Sequence, residues 1–335
     1  MGMLQAFRSG SGDEDDAGPK VSLGTRLRAW WEGCDVSDLI DGEASAAAAA
    51  GEAADAVQAL SSDDFPESPM PGEVDHWTPQ RIETVQRMFG EGRHLPGIAS
   101  EIRALTDRLE LTDQMKVLEL GTGLAPLGRL IGSHTGARVT CVEPDPCLAE
   151  AAGAIVVNER LDAWVKIVNE SIMEMEVPAQ SLDAVIARES LYTIQNKPPL
   201  LGRLVEFLKP GGQFLYVDFM LKTPEPKDPA VEAWCAMQPD NPHLIEAIEM
   251  RNIMGYFGFK VRAADEISDQ YAKRVLKTLK TFSKSLPTMP LRPRQKKWLL
   301  WEVDLWSRRV AAIESGEVGV FLAHAQLPEE GAGKG

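Results

Sequence analysis

A short stretch at residues 118–128, LELGTGLAPLG, combines residue types that suit nucleotide binding. Gly121 and Gly123 permit a tight turn and let a ligand approach bare backbone. The apolar run before them is typical of a buried parallel strand, and Ala125 with Pro126 suits the first turn of a helix. A strand, a glycine turn and a helix in this order predict the beginning of a nucleotide-binding α/β unit.

Two carboxylates near this turn bear on which nucleotide binds. Glu143 ends the next predicted strand, about twenty residues further on, where it can accept hydrogen bonds from both hydroxyls of a ribose. That arrangement serves NAD and S-adenosylmethionine (SAM) equally. Glu119 lies just before the turn, where it would repel a pyrophosphate but can accept hydrogen bonds from the amino-acid end of SAM. We therefore expect SAM as the cofactor, with an NAD-dependent dehydrogenase as an alternative.

Strands and helices alternate around these residues. Strands are predicted at 115–120, 138–143, 164–168, 182–187 and 213–219, with helices from 126 and at 146–158 and 198–208. Further helices are predicted at 79–89, 98–110, 243–256, 269–285 and 293–315, and late strands in GFKVRAADEIS and GVFLAHAQL. The pattern predicts an α/β fold: a doubly wound, mostly parallel, seven-stranded Rossmann-like sheet whose late strands form an antiparallel pair.

The composition limits the partners of the chain. Its 335 residues carry a net charge of −15, which argues against nucleic acid as the main partner. No window holds the roughly 18 apolar residues of a membrane span, so we expect no stable membrane insertion. The four cysteines lack metal-type CxxC spacing, which predicts a reduced, cytoplasmic protein without a metal site.

The two ends of the chain differ in composition from its middle. Residues 1–75 are predicted to be a disordered or accessory extension, because Gly, Ser, Ala and acidic residues dominate. A short amphipathic helix is predicted around Trp30 and Trp31, and it could pack on its own domain, on the twin subunit of a homodimer, or on a partner or membrane surface. Residues 327–335 are predicted to be a flexible tail.

Four segments carry a family resemblance. In motif and order, ELGTG, CVEPDP, LDAVIA and LKPGGQFLYVDF resemble the SAM-dependent class I methyltransferases. Longer stretches, including WTPQRIETVQRMFGEG and ARESLYTIQNKPPLLGRLVEFLKPGGQFLYVDF, are similar to the phosphoethanolamine N-methyltransferase-like group. The resemblance implies a SAM-dependent methyltransferase domain over residues 76–326, with a helical lid, that acts on a small molecule.

The resemblance also implies a set of cofactor-binding residues. They follow the ends of successive strands: Glu119, Gly121, Thr122, Gly123, Glu143, Pro144, Glu170, Ser171, Ile172 and Arg188. Pro144 would face adenine, and Ser171 and Ile172 would lie beside it. Ser171 replaces the Asp that is usual in the family, and the neighbouring Glu170 can substitute for that Asp. Arg188 would close over the methionine end.

The implied catalytic residues depart from the family pattern. Glu189 would lie near the methyl group and the acceptor, whereas Trp77 and Thr193 occupy the positions of the family's catalytic Tyr and His. Neither replacement is a useful general base at neutral pH. Amines and thioethers need no such base. The absence of the Tyr–His pair therefore favours amine or sulfur acceptors. A catalytically degenerate SAM-binding module is the non-enzymatic alternative.

The implied substrate-binding residues are Tyr192, Phe219 and Arg309. Phe219 replaces a phosphate-binding Tyr of the family, which disfavours phosphoethanolamine as the substrate. His94 lies in the predicted lid and is expected to be exposed to solvent. Three tryptophans on the last long helix are expected to pack a cap over the sheet: Trp298, Trp301 and Trp306.

Overall fold

The protein is described here by a computed structural model. The structure describes residues 77–97, 103, 106–238, 242–286, 289 and 292–329. The predicted N-terminal extension, its amphipathic helix and most of the predicted tail lie outside these residues. None of the described helices is long and apolar enough to cross a membrane.

The described residues form a seven-stranded sheet in the order β3-β2-β1-β4-β5-β7-β6. The strands are β1 Lys116–Leu120, β2 Arg138–Val142, β3 Val165–Val168, β4 Leu182–Arg188, β5 Leu208–Leu221, β6 Lys260–Glu266 and β7 Val318–Gln326. Strand β7 runs antiparallel to both of its neighbours, whereas the pairings among β1 to β5 are parallel. The predicted doubly wound, mostly parallel seven-stranded sheet is confirmed.

Helices cover the sheet and connect its strands. They are α1 Pro79–Phe89, α2 Pro126–Thr135, α3 Pro146–Asn158, α4 Lys197–Phe207, α5 Pro229–Cys235, α6 Ala247–Tyr256, α7 Ser268–Ser283 and α8 Pro293–Glu314. Six of them, α1 to α5 and α8, have proline in the first turn, where its missing N–H costs nothing. Those prolines explain why the start of α3 coincides with the sequence prediction.

Most predicted boundaries agree with the structure to within two residues, and three predicted elements differ by more. Strand β5 begins at Leu208 rather than 213, because Leu208 pairs with Leu182 before Gln213 pairs with Ala184, and the residues between form a bulge. Helix α6 begins at 247 rather than 243, because the backbone at residues 245 and 246 pairs with the end of β5. Of the predicted helix at 98–110, the described part contains the short 3₁₀ turn Asp107–Leu109.

The strand order places the candidate site. Strand β1 lies between β2 and β4, so the chain leaves β1 towards one side of the sheet and later returns on the other. Ligands of open α/β sheets bind outside the carboxyl ends of the strands at such a reversal point. The loops that follow β1, β2 and β4 therefore line the crevice where a nucleotide would bind.

Gly128 lets α2 pack directly on the sheet. A Cβ at this position would collide with the Cys141 sulfur on β2 and would lie 2.7 Å from Oε2 of Glu119 on β1. The third glycine of a dinucleotide motif has the same packing role, although the spacing here differs from that motif.

We predict that Gly128→Ala lowers the free energy of unfolding by roughly 1–3 kcal/mol, because the added methyl overpacks the contact between α2 and the sheet. The matched control is Gly153→Ala in α3, where a Cβ would meet nothing within 4 Å. That control should be neutral or stabilising, because alanine favours a helix over glycine. Urea unfolding of both variants tests this, and equal stability would contradict the packing role.

Candidate functional site

The loop after β1 is held in an unusual backbone conformation. Gly121, Gly123 and Ala125 have φ values of +59°, +57° and +55°. A Cβ on Gly121 would collide with Ser190, and one on Gly123 would collide with the ring of His94. Both glycines are thus required by the close approach of side chains from the β4 end and the lid, as well as by their φ values.

Glu143 joins this loop to the start of α3. Its Oε2 accepts a hydrogen bond from the Gly123 N–H at 2.6 Å, and its Oε1 accepts one from the Asp145 N–H at 3.0 Å. Burial raises the pKa of Glu143 to about 7. Each carboxylate oxygen has a second lone pair, so the group can accept two further hydrogen bonds from a ligand in the crevice.

Glu119 occupies the N-terminus of α2. Its Oε2 accepts hydrogen bonds from the Gly128 N–H at 2.9 Å and the Cys141 thiol at 3.3 Å. Burial raises the pKa of Glu119 to about 7. The Gly128 amide belongs to the first turn of the helix, the part that binds pyrophosphate in dinucleotide folds. A carboxylate already fills that position in this protein.

Thr122 in the loop after β1 is also buried. It donates its N–H to the Val142 carbonyl and so connects the loop to β2.

Asp218 on β5 fixes the turn that follows β4. Its carboxylate accepts four backbone N–H bonds of 2.6–3.2 Å, from Ser190, Leu191, Tyr192 and Phe219. Its side chain is fully buried, and burial raises its pKa to about 6. The sequence prediction missed Asp218, although an acid inside the apolar strand QFLYVDF was an available signal.

Glu189 is held at the end of β4 by three neighbours. The Tyr271 hydroxyl donates to Glu189 Oε2 at 2.8 Å, and Arg309 Nη1 donates to the same oxygen at 3.1 Å. Arg188 Nη2 lies 3.8 Å from Glu189 Oε1 and donates to the Pro96 carbonyl of the lid at 2.8 Å. The structure thus brings Glu189, Arg188 and Arg309 together, and Tyr271 is a member of this cluster that the sequence prediction missed.

Aromatic rings surround this ion pair. The ring of Phe219 lies 5.3 Å from Tyr192, 5.1 Å from Trp234 and 5.5 Å from Tyr271, measured between ring centroids. The guanidinium of Arg309 lies 5.0 Å from the Phe219 centroid. Within the described cluster, three buried polar atoms have no hydrogen-bond partner: Glu189 Oε1, Arg309 Nε and Trp234 Nε1. Such atoms are costly to bury unless a ligand satisfies them.

A buried ion pair attaches the lid helix α1 to α8. Arg81 Nε donates to Glu302 Oε1 at 2.7 Å, and Trp306 Nε1 donates to Glu302 Oε2 at 3.1 Å. The Arg81 guanidinium lies 3.8 Å from the centroid of Trp77 and 4.2 Å from that of Trp301. Tryptophans of α8 therefore pack the lid against the domain, in agreement with the sequence expectation.

His94 is buried, contrary to the expectation of an exposed lid histidine. Its Nδ1 accepts a hydrogen bond from the Leu124 N–H at 3.2 Å. Burial, followed by the positive charges of Arg188 and other arginines, lowers the pKa of His94 to about 3. The neutral imidazole has a single lone pair in the ring plane, and Leu124 uses it. In this arrangement His94 is not a general base.

Thr193 and Trp77, the residues at the positions of the family's catalytic pair, lie outside the Glu189 cluster. Thr193 is exposed, and its hydroxyl donates to the Ser190 carbonyl at 2.8 Å, because the short turn after β4 directs it to solvent. Trp77 is half-buried and stacks on Arg81. In the structure Thr193 thus bonds to the backbone and Trp77 packs in the lid, and their catalytic roles stay predictions.

The residues expected around adenine lie at the rim of the crevice. Pro144 and Glu170 are exposed, Ser171 is half-buried, and Ile172 is buried in the core. The Ser171 hydroxyl accepts the Met173 N–H at 3.2 Å, and Asn169 donates to the carbonyls of Glu143 and Pro144. Their placement beside the end of β2 is compatible with an adenine-binding edge, which stays a prediction.

A family model described as a methyltransferase domain matches residues 92–264, just over half of the chain. The chain belongs to this family. It is 23% identical over 242 residues to the phosphoethanolamine N-methyltransferase of Plasmodium falciparum, covering 71% of this chain and 88% of that protein. The predicted resemblance to SAM-dependent methyltransferases, and to the phosphoethanolamine N-methyltransferase group, is confirmed.

The chain spans only part of two further relatives. Phosphoethanolamine N-methyltransferase 3 of Arabidopsis thaliana is 23% identical over 199 residues, which is 59% of this chain and 40% of that protein. A Haemonchus contortus phosphoethanolamine N-methyltransferase 2, solved with phosphomonomethylethanolamine and S-adenosylhomocysteine, aligns with a TM-score of 0.66 at 18% identity. That alignment covers 76% of this chain and 59% of the other, and it shows a shared fold.

Proposed function

We propose that this protein is a SAM-dependent methyltransferase that transfers a methyl group to a small amine, with a sulfur acceptor as the second choice. One observation carries the proposal. The glycine loop after β1 and the buried carboxylate of Glu143 after β2 meet at the reversal point of the sheet, joined by the hydrogen bond from Gly123 to Glu143. Family membership and the fold of relatives solved with SAM or S-adenosylhomocysteine support it.

The residues of the crevice fit this cofactor. The Glu143 carboxylate would accept hydrogen bonds from the ribose hydroxyls, in addition to or in place of those from its two backbone N–H groups. The Gly121–Gly123 backbone would face the methionine part. Glu119 would lie near the ammonium group of the methionine part, which carries the charge that a buried carboxylate attracts. Arg188 would face the methionine carboxylate while it holds the lid through Pro96.

A dinucleotide fits less well. The amide of Gly128 at the start of α2 already donates to Glu119. A pyrophosphate at the same helix end would lose that donor and would meet the negative charge of the carboxylate when Glu119 is ionised. The NAD-dependent dehydrogenase is therefore the weaker alternative.

The Glu189 cluster is suited to an acceptor amine. SAM supplies an activated methyl group, so the protein's main tasks are to orient the acceptor nitrogen and exclude water. Glu189 Oε1 offers a buried hydrogen-bond acceptor to an N–H, and the rings of Tyr192 and Phe219, packed edge to face beside this cluster, would attract a cationic or methylated nitrogen. Arg309 Nε and Trp234 Nε1 offer donors to an oxygen elsewhere on the same acceptor.

Proton handling requires little of the protein. A neutral amine attacks through its own lone pair, and the product ammonium can then pass a proton to Glu189 or to water. Burial raises the pKa of Tyr271 well above its ordinary value, so its hydroxyl stays protonated and serves to orient Glu189.

The cytoplasmic location, the absence of a nucleic-acid partner and the possible homodimer stay predictions.

Binding should depend on the charge of Glu143. Because burial raises the pKa of Glu143 to about 7 and ribose hydroxyls donate best to the ionised carboxylate, SAM binding should release protons below that pH. The dissociation constant should therefore fall as the pH rises from 6 to 8. Glu143→Gln should weaken binding by roughly 1–3 kcal/mol and reduce this pH dependence.

Titration calorimetry at several pH values measures both effects. Glu150→Gln on the exposed side of α3 is the matched control and should keep the affinity and pH profile of the unaltered protein. Glu119 and the amino group of SAM also titrate in this range, so the difference between the two variants is the relevant quantity. Identical profiles would remove Glu143 from the binding site.

The activity itself is tested by formation of S-adenosylhomocysteine with a panel of amines, thioethers and hydroxy acids, including phosphoethanolamine. We expect turnover with an amine that carries a second polar group. Glu189→Gln should lower kcat/KM at least tenfold, because a neutral amide stabilises less well the positive charge that develops on the amine nitrogen during methyl transfer. Glu206→Gln, exposed on α4, is the control. Tight SAM binding without turnover across the panel would favour the degenerate module, and NAD binding without SAM binding would refute the proposal.

A further inference from the structure

A groove of about 620 Å³ lies between the end of the lid helix α1 and helix α7. Residues 87–90, 93 and 97 form one wall. The other wall follows one face of α7 and its end: Gln270, Lys273, Arg274, Lys277, Thr278, Thr281, Phe282 and Ser285. Its volume falls within the range of roughly 300–1,000 Å³ that is typical of small-molecule sites.

The groove is strongly positive in a chain of net charge −15. The charged side chains among its described lining residues are all cations: Arg87, Arg93, Lys273, Arg274 and Lys277. Arg87 also pairs with Glu83 on the exposed side of α1, and Arg93 donates to the Gly97 carbonyl. Even with these internal contacts, the lining keeps a local excess of positive charge.

This arrangement costs α7 some helix stability. Lys273 and Lys277 are one turn apart and both exposed, and Arg274 is three residues from Lys277. Like charges at these spacings on a helix repel each other. An anion bound between the walls would remove that repulsion.

The floor of the groove is apolar. Met88 and Phe89 on α1 and Phe282 on α7 line it, beneath the cationic rim. Phe89 also packs edge-on against Trp306, with ring centroids 5.2 Å apart, so a rigid aromatic pair supports the floor. Cations around an apolar floor match a ligand that has an anionic head and an apolar body.

We propose that this groove binds single molecules of an anionic amphiphile, a phosphate or carboxylate attached to an apolar chain or ring system. The groove is separate from the glycine loop and from Glu189, so this binding does not depend on the proposed methyl transfer. A polyanion such as nucleic acid would be repelled by the rest of the acidic surface, and inorganic phosphate would leave the apolar floor uncovered.

The test uses the full chain without SAM and dodecyl phosphate, held below its micelle concentration, in titration calorimetry. Inorganic phosphate and dodecyl maltoside, which is neutral, are the comparison ligands. The double variant Lys273→Glu/Lys277→Glu should weaken dodecyl phosphate binding about tenfold or more, because two attractions become repulsions. Both lysines are exposed, and thermal unfolding checks that the variant folds.

The matched control is Lys116→Glu/Lys166→Glu, which makes the same charge change at exposed positions on β1 and β3. It should bind dodecyl phosphate as the unaltered protein does. Equal binding by the two double variants would overturn the proposal, as would equal affinity for inorganic and dodecyl phosphate. Binding to phosphatidylglycerol vesicles without binding to the monomeric amphiphile would also overturn it and would indicate a membrane-surface contact instead.

Discussion

Three buried carboxylates, on β1, just after β2 and on β5, organise the crevice and the turn that follows β4. Glu119, Glu143 and Asp218 each accept hydrogen bonds from backbone amides of the loops beside them. Removing a carboxylate from water is costly, and the raised pKa values of about 6 to 7 reflect that cost. The hydrogen bonds from the backbone amides offset this cost of burial only while the loops keep their conformations. The carboxylates and the loop geometry therefore depend on each other.

Buried charged groups held by fixed partners also connect the crevice to the lid. The ion pair between Arg81 and Glu302 joins α1 to α8, Trp306 bonds to Glu302, and Arg309 lies 4.3 Å from the Trp306 centroid. Arg309 then reaches Glu189 at the end of β4. A continuous chain of buried polar and aromatic contacts thus connects the cover of the site to the proposed acceptor position. A shift of α1 would therefore change the position of Glu189, although α1 does not bond to Glu189 directly.

The sequence predicted the elements better than the contacts between them. The starts of α1 and α3 are determined by local signals: capping side chains of Thr78 and Asp145 with a proline after each. The burial of His94 depends on how the lid meets Gly123, more than twenty residues away, and no local pattern encodes it. Tyr271 reaches Glu189 across 82 positions of sequence. Only the tertiary structure brings such residues together, so local sequence patterns could not predict these contacts.

The central claim is that Glu143 and the glycine loop form a nucleoside site. A crystal structure of the full chain with S-adenosylhomocysteine tests it most directly. The account predicts the ribose hydroxyls within hydrogen-bond distance of both Glu143 carboxylate oxygens, with the amino-acid tail against the Gly121–Gly123 backbone. A nucleoside bound elsewhere, or a Glu143 that remains bonded to backbone amides alone while the ligand is present, would contradict it.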